Sequence, residues 1–111
     1  NRFPWLNQQR HGVEVRIIGD DDADQIDVEA LLNAIDHRTR LVSASWVGYA
    51  TGYRIDVDRL THEVHRRGAL LFLDAIQGLG IFPLDLRKTP VDFLAADGHK
   101  WLLGPEGAGM M

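Results

Sequence analysis

With 111 residues, 45% hydrophobic and 25% charged, the chain has the composition of one ordinary globular domain with a single core. Its net charge of −4 leaves no basic surplus for a nucleic-acid partner, and no apolar run approaches the roughly 20 residues that span a bilayer. The lack of cysteine excludes a disulfide framework, a thiolate metal site and a cysteine nucleophile within these residues, which fits a cytoplasmic protein.

The opening stretch, Trp5 to Arg10, reads as the end of a helix closed by Gly12. Val13 to Ile18 alternates apolar and charged residues, then runs apolar, and is rich in β-branched side chains, so it is expected to be a strand. Asp20 to Asp24 is an acidic loop. Its carboxylates lack the alternate spacing and central glycine of a calcium loop, so it reads as a solvated turn. Asp27 is an N-cap, and Val28, Leu31, Leu32 and Ile35 fall on one face of the helix it starts. A mostly apolar run from Thr39 to Val47 predicts a buried strand, and Gly48 to Gly52 a loop. Asp56 caps a second helix, with Val57, Leu60 and Val64 inward and Gly68 closing it.

Ala69 to Leu73 is an apolar strand ending at Asp74. A turn region with Gly78, Gly80 and Pro83 follows, and Val91 to Ala96 is another short strand. Lys100 lies just past it, and Gly104 to Gly109 is a turn into a last strand. Strands alternating with helices, two of the strands apolar throughout, predict an α/β domain with a mainly parallel sheet covered on both faces. In such sheets ligands sit outside the carboxyl ends of the strands. The residues to watch are therefore Tyr49, Asp74, Gln77, His99 and Lys100. A carboxylate at the end of a buried strand is costly unless paired, and a lysine beside a strand end can form a Schiff base when a cofactor is near.

Other motifs carry less. Gly78-Leu79-Gly80 is only part of a dinucleotide fingerprint and precedes no good helix. Gly104 to Gly109 is not followed by the Gly-Lys-Ser/Thr of a phosphate loop. His62 and His65 lack the spacing of a zinc-protease helix, so no metal is expected, and both are placed on a solvated face. Trp5, Trp46 and Trp101 are expected to be packing residues. The chain begins at Asn1 and stops within the apolar stretch Gly109-Met110-Met111, so it is expected to be a piece of a longer protein.

The succession Leu73 to Gln77, Pro83-Leu84-Asp85, Val91-Asp92-Phe93, Gly98-His99-Lys100 and Gly104 to Gly109 resembles the class V aminotransferase family of fold-type I pyridoxal-phosphate (PLP) enzymes. That family includes cysteine desulfurases, isopenicillin N epimerase-like proteins and kynureninases. Asn1 to Trp5 is similar to its Asn-x-x-Pro-Trp stretch, Ile26 to Leu31 to its next helix and Thr39 to Val42 to its next strand.

The resemblance implies that residues 1–111 are part of the three-layer PLP-binding large domain, with an N-terminal part and a small C-terminal domain elsewhere. It implies a cytoplasmic PLP-dependent transferase or lyase, cysteine desulfurase-like, acting on a small amino-acid substrate through an internal aldimine on Lys100. Lys100 would later serve as the proton-shuttling base. Asp74 would pair with the pyridine nitrogen, Gln77 would bond the ring's phenolic oxygen, and His99 would contact the phosphate. A homodimer is implied, with no nucleic acid and no membrane as partner.

Three features lie outside these residues: an arginine for the substrate carboxylate, a mobile-loop cysteine and a ring-stacking residue. The 111 residues alone are therefore expected to bind PLP weakly and to be inactive. Two departures stand out. Many members read Ser-Gly-His-Lys, whereas Asp97 stands here in the serine's place. A carboxylate would repel the phosphate, so Asp97 is expected to point elsewhere. Desulfurases read His-Val-Ser-Asn where this chain has Trp46-Val47-Gly48-Tyr49, which puts Tyr49 in the asparagine's place and brings the loop closer to kynureninases. Two readings compete with the enzyme: an inert binding or structural module on the same fold, and a generic nucleotide-binding α/β domain.

Overall fold

The computed structural model describes residues 2–19 and 25–111. The acidic run expected to be a solvated turn lies outside the described residues. Among the described residues four strands form one sheet in the order β1-β2-β3-β4. These are β1 (Leu41–Ser45), β2 (Leu70–Asp74), β3 (Phe93–Asp97) and β4 (Gly109–Met110). The first three run parallel, and β4 returns antiparallel to β3. Helices α1 (Arg2–Leu6), α2 (Val28–Asn33) and α3 (Val57–Arg66) complete the α/β layout expected from the sequence. Among the described residues no helix is long and apolar enough to cross a membrane.

The helix ends follow their capping residues. Asp27 accepts from the Ala30 amide at 2.9 Å, and Asp56 from the Arg59 amide at 3.0 Å, each satisfying a donor that the first helical turn leaves open. Gly12 closes a short 3-10 helix, Asn7–His11, with a φ of +81° that favours glycine. Within α3, Val57, Leu60, Thr61 and Val64 are buried. The Thr61 hydroxyl donates to the Val57 carbonyl at 2.7 Å, so this buried polar group is satisfied inside its own helix.

Alternation along the strands decides what the sheet buries. Val42, Ala44, Leu71 and Leu73 are buried, and with Leu60, Val64 and Leu32 they form the core. Their neighbours in sequence point to the other face: Ser43, Ser45, Phe72 and Asp74 are half-buried, and Leu70 is exposed. On that face the Trp5 ring meets Phe72 edge to face, with centroids 5.2 Å apart. Within these residues one face of the sheet carries the core and the other is half-buried.

Val13–Ile18 is not a strand, against expectation. Among the described residues no backbone ladder pairs it with the sheet, and Val13 and Ile17 are about half exposed. Side chains hold it instead. Arg16 donates to the Ala34 carbonyl at 2.7 Å and pairs with Asp36 at 3.1 Å, and Arg38 pairs with Glu14. A groove of about 900 Å³ separates this segment from the outer edge of β1. Alternating β-branched residues favour an extended chain, but a strand needs a neighbour to exchange hydrogen bonds with.

His65 is partly exposed on α3, and its Nε2 lies 2.7 Å from the Asp92 carboxylate, which also accepts from the Leu71 amide at 2.8 Å. Burial pushes the Asp92 carboxyl up, but the Leu71 amide and His65 together outweigh it and hold it below the usual range. Asp92 thereby ties α3, β2 and the start of β3 at one point.

Candidate active site

The parallel register sets the site. Ser45, Asp74 and Ala95 are side by side across β1, β2 and β3, and Asp97 follows two residues beyond Ala95 on the same face. These are the carboxyl ends of the three parallel strands, where an α/β sheet presents its ligand-binding residues. A concavity of about 460 Å³ opens there, lined by Asp74, Ile76, Ala95, Asp97 and, from the last turn and β4, Gly107, Gly109, Met110 and Met111. The larger groove beside β1 holds none of the expected site residues and belongs to the opposite edge of the sheet.

Asp74 is half-buried and held from two sides. Its Oδ1 accepts from the Ile76 amide at 3.2 Å, and its Oδ2 from the Ser45 hydroxyl at 3.3 Å. A carboxylate at a strand end is costly without such donors, and with them its plane is defined. Ser45 had no signal in the sequence. Only the register of β1 against β2 brings it to Asp74.

Gln77 sits in the turn after β2. Its Oε1 accepts from the Trp101 indole at 3.2 Å, which leaves the amide NH₂ as the group that can donate to a ligand. Trp101 is 52% exposed, so the expectation that it is a packing residue gives way: it bridges the β2 turn to the turn carrying Lys100. Trp46 does pack: it is buried, and its ring lies against Phe82. Gly78, next to Gln77, is there because of it. A Cβ at this position would stand 2.4 Å from the Trp46 ring. That close approach, not a nucleotide loop, accounts for the glycine.

Past β3 the chain turns sharply. Gly98 donates to the Ala108 carbonyl at 2.6 Å, and Gly104 donates to the Gly98 carbonyl at 2.8 Å, so residues 98–104 are closed onto the loop before β4. His99 is half-buried and its Nδ1 lies 3.2 Å from Asp97 Oδ2, while Asp97 Oδ1 accepts from the Gly98 amide at 2.8 Å. Asp97 thus engages its own neighbours while also lining the concavity. Lys100 follows on the same turn and is exposed.

Of the expected residues Asp74 lines the concavity at the end of β2, while Gln77, His99 and Lys100 stand on the turns that leave β2 and β3. Tyr49 is not drawn into this set. It lies on the turn after β1 and is 89% exposed. The donor set matches the chemistry of PLP: a carboxylate for a ring N–H, an amide for a phenolic oxygen, an imidazole for a phosphate and an amine for an aldehyde. Among the described residues no cluster of His, Asp and Glu could hold a metal ion.

The model of the Aminotransferase class-V family matches residues 1–111. A probable cysteine desulfurase of Methanothermobacter thermautotrophicus is 37% identical over all 111 residues, which cover 28% of that protein. An isopenicillin N epimerase of Amycolatopsis lactamdurans is 44% identical over 84 residues, 76% of this chain and 21% of that one. Among solved structures, the cysteine desulfurase CsdA of Escherichia coli superposes with a TM-score of 0.85 at 32% identity, covering 98% of this chain and 27% of that one. The chain spans about a quarter of the length of the curated relatives it matches.

Proposed function

The chain belongs to the class V aminotransferase family, and from that premise we propose that it is part of the large, cofactor-binding domain of a PLP enzyme acting on an amino acid, cysteine desulfurase-like in type. One observation carries this reading: Asp74, Gln77, His99 and Lys100 lie at adjacent strand ends, the first three with their polar groups already oriented by neighbours. PLP, when bound, supplies an electron sink for carbanion chemistry at the substrate's α-carbon.

The chain's own residues then divide the work. Asp74 accepts the ring N–H, with Ser45 and the Ile76 amide fixing the plane of its carboxylate. Gln77 donates its NH₂ to the ring oxygen, because Trp101 occupies its carbonyl. His99 donates to the phosphate. Lys100 would hold the cofactor through its amine and would carry the proton to and from the substrate's α-carbon. Tyr49 contributes to the ring-oxygen side only if the remainder of the protein draws it inward. The exposure of Lys100 fits a site completed by other elements, and by family likeness we propose a cytoplasmic homodimer.

The test uses the full-length protein loaded with PLP and offered L-cysteine, then a panel of other amino acids. Formation of alanine from cysteine is expected, with its sulfur recovered as sulfide once a thiol reductant such as dithiothreitol is supplied. In Lys100→Ala turnover should fall by about 10²–10⁴-fold, the range for removing a positioned acid–base group. Wild-type turnover in Lys100→Ala, or no amino acid consumed by the PLP-loaded protein, would overturn the proposal.

A further inference from the structure

We propose that Asp97 is a positioning residue of the phosphate subsite: it holds His99 by one ring nitrogen so that the other faces the cofactor phosphate. This rests on the cofactor reading above. A carboxylate beside a phosphate would ordinarily be a liability, and its placement here is what needs explaining.

The backbone around His99 is fixed. Gly98 is bonded to Ala108 and Gly104 to Gly98, and a Cβ on Gly98 would stand 2.7 Å from the Ala108 carbonyl oxygen. What remains free at His99 is rotation of its side chain, and the neighbouring Asp97 carboxylate favours the rotamer that brings Nδ1 toward it. Its Oδ1 is engaged by the Gly98 amide at 2.8 Å, which sets the carboxylate plane, and its Oδ2 lies 3.2 Å from His99 Nδ1. With Nδ1 engaged, Nε2 is the edge of the ring available to a further acceptor. An imidazole bearing N–H on both nitrogens donates one to Asp97 and the other to a phosphate oxygen. The carboxylate is then separated from the phosphate by the ring it orients, an arrangement familiar from histidines that bind metals.

Two views of Asp97 predict opposite signs. If it is only a nearby negative charge, neutralising it tightens PLP binding. If it seats His99, neutralising it loosens PLP binding, and only through the phosphate. The experiment measures dissociation constants of PLP and of pyridoxal, which lacks the phosphate, on the full-length apo-protein. Wild type, Asp97→Asn, His99→Ala and the double variant are compared. The Asp97→Asn side chain keeps an oxygen for the Gly98 amide but turns an NH₂ toward His99 Nδ1.

For Asp97→Asn the PLP dissociation constant should rise about tenfold, the scale of one hydrogen bond to a charged group. Pyridoxal binding should stay within about twofold, and in the His99→Ala background Asp97→Asn should cost nothing further. Tighter or unchanged PLP binding by Asp97→Asn, or an equal loss for PLP and pyridoxal, would overturn the inference while leaving the cofactor reading intact. A wild-type protein that binds neither compound would overturn the cofactor reading and this inference with it.

Discussion

Gly78 shows how tightly a single residue can be bound to the site. It is buried, and a Cβ there would stand 2.4 Å from the Trp46 ring, itself buried under the turn that carries Gln77. Trp46 cannot retreat without disturbing Phe82, whose ring centroid is 5.9 Å away. Gly78→Ala should therefore destabilise the full-length protein by about 1–3 kcal/mol, the usual cost of overpacking, as read by urea unfolding. PLP affinity should weaken with it, because Gln77 is the adjoining residue. A variant as stable as the wild type would mean that the turn yields freely. At this scale the positions were legible in the sequence, with Asp74 after an apolar strand, Gln77 in its turn and His99 and Lys100 after the next strand, while their proposed roles came only from the family resemblance. Ser45 on Asp74, Trp101 on Gln77 and His65 on Asp92 were not legible. Each is a contact between residues far apart in the chain, and register, not local composition, creates it.

Helices and strands differ in how much of their fate is local. Both α2 and α3 begin where an aspartate can cap them, because the cap is made three residues away along the same chain. Helix α3 adds a charge cluster of its own, in which Glu63 is paired with Arg67 and with Arg66. The two guanidiniums, Arg67 first, hold the Glu63 carboxyl at about 2 instead of its ordinary 4.5. A carboxyl depressed on folding contributes stability that is present above its unfolded value and lost as pH falls through the folded one. The Glu63 contribution should therefore fade between about 4.5 and about 2. Over that window, unfolding midpoints of Glu63→Gln should fall less steeply than those of the wild type, the two converging in acid. Parallel curves would mean that the pairs do not persist in solution. Strands lack such local closure. Val13–Ile18 carries a strand's composition but is tied to the chain after α2 by side chains, so composition there could not stand in for a pairing partner. Where partners exist, as for β1, β2 and β3, the expected strands appear with ends shifted by a few residues.

The whole molecule is a mainly parallel sheet with its core on one face and its candidate chemistry at the carboxyl ends of the strands. α/β layering follows from the alternation of helical and strand patterns, which is why the fold class could be read before the structure. As the chain spans about a quarter of its relatives' length, the proposed activity is one to test on the full-length protein. The central claim is that Lys100 carries the cofactor. Incubating the full-length protein with PLP, reducing with borohydride, digesting and mapping the pyridoxyl group by mass spectrometry tests it most directly. One adduct on Lys100, absent from Lys100→Ala, is the predicted result. No adduct, or adducts scattered over other lysines, would contradict it.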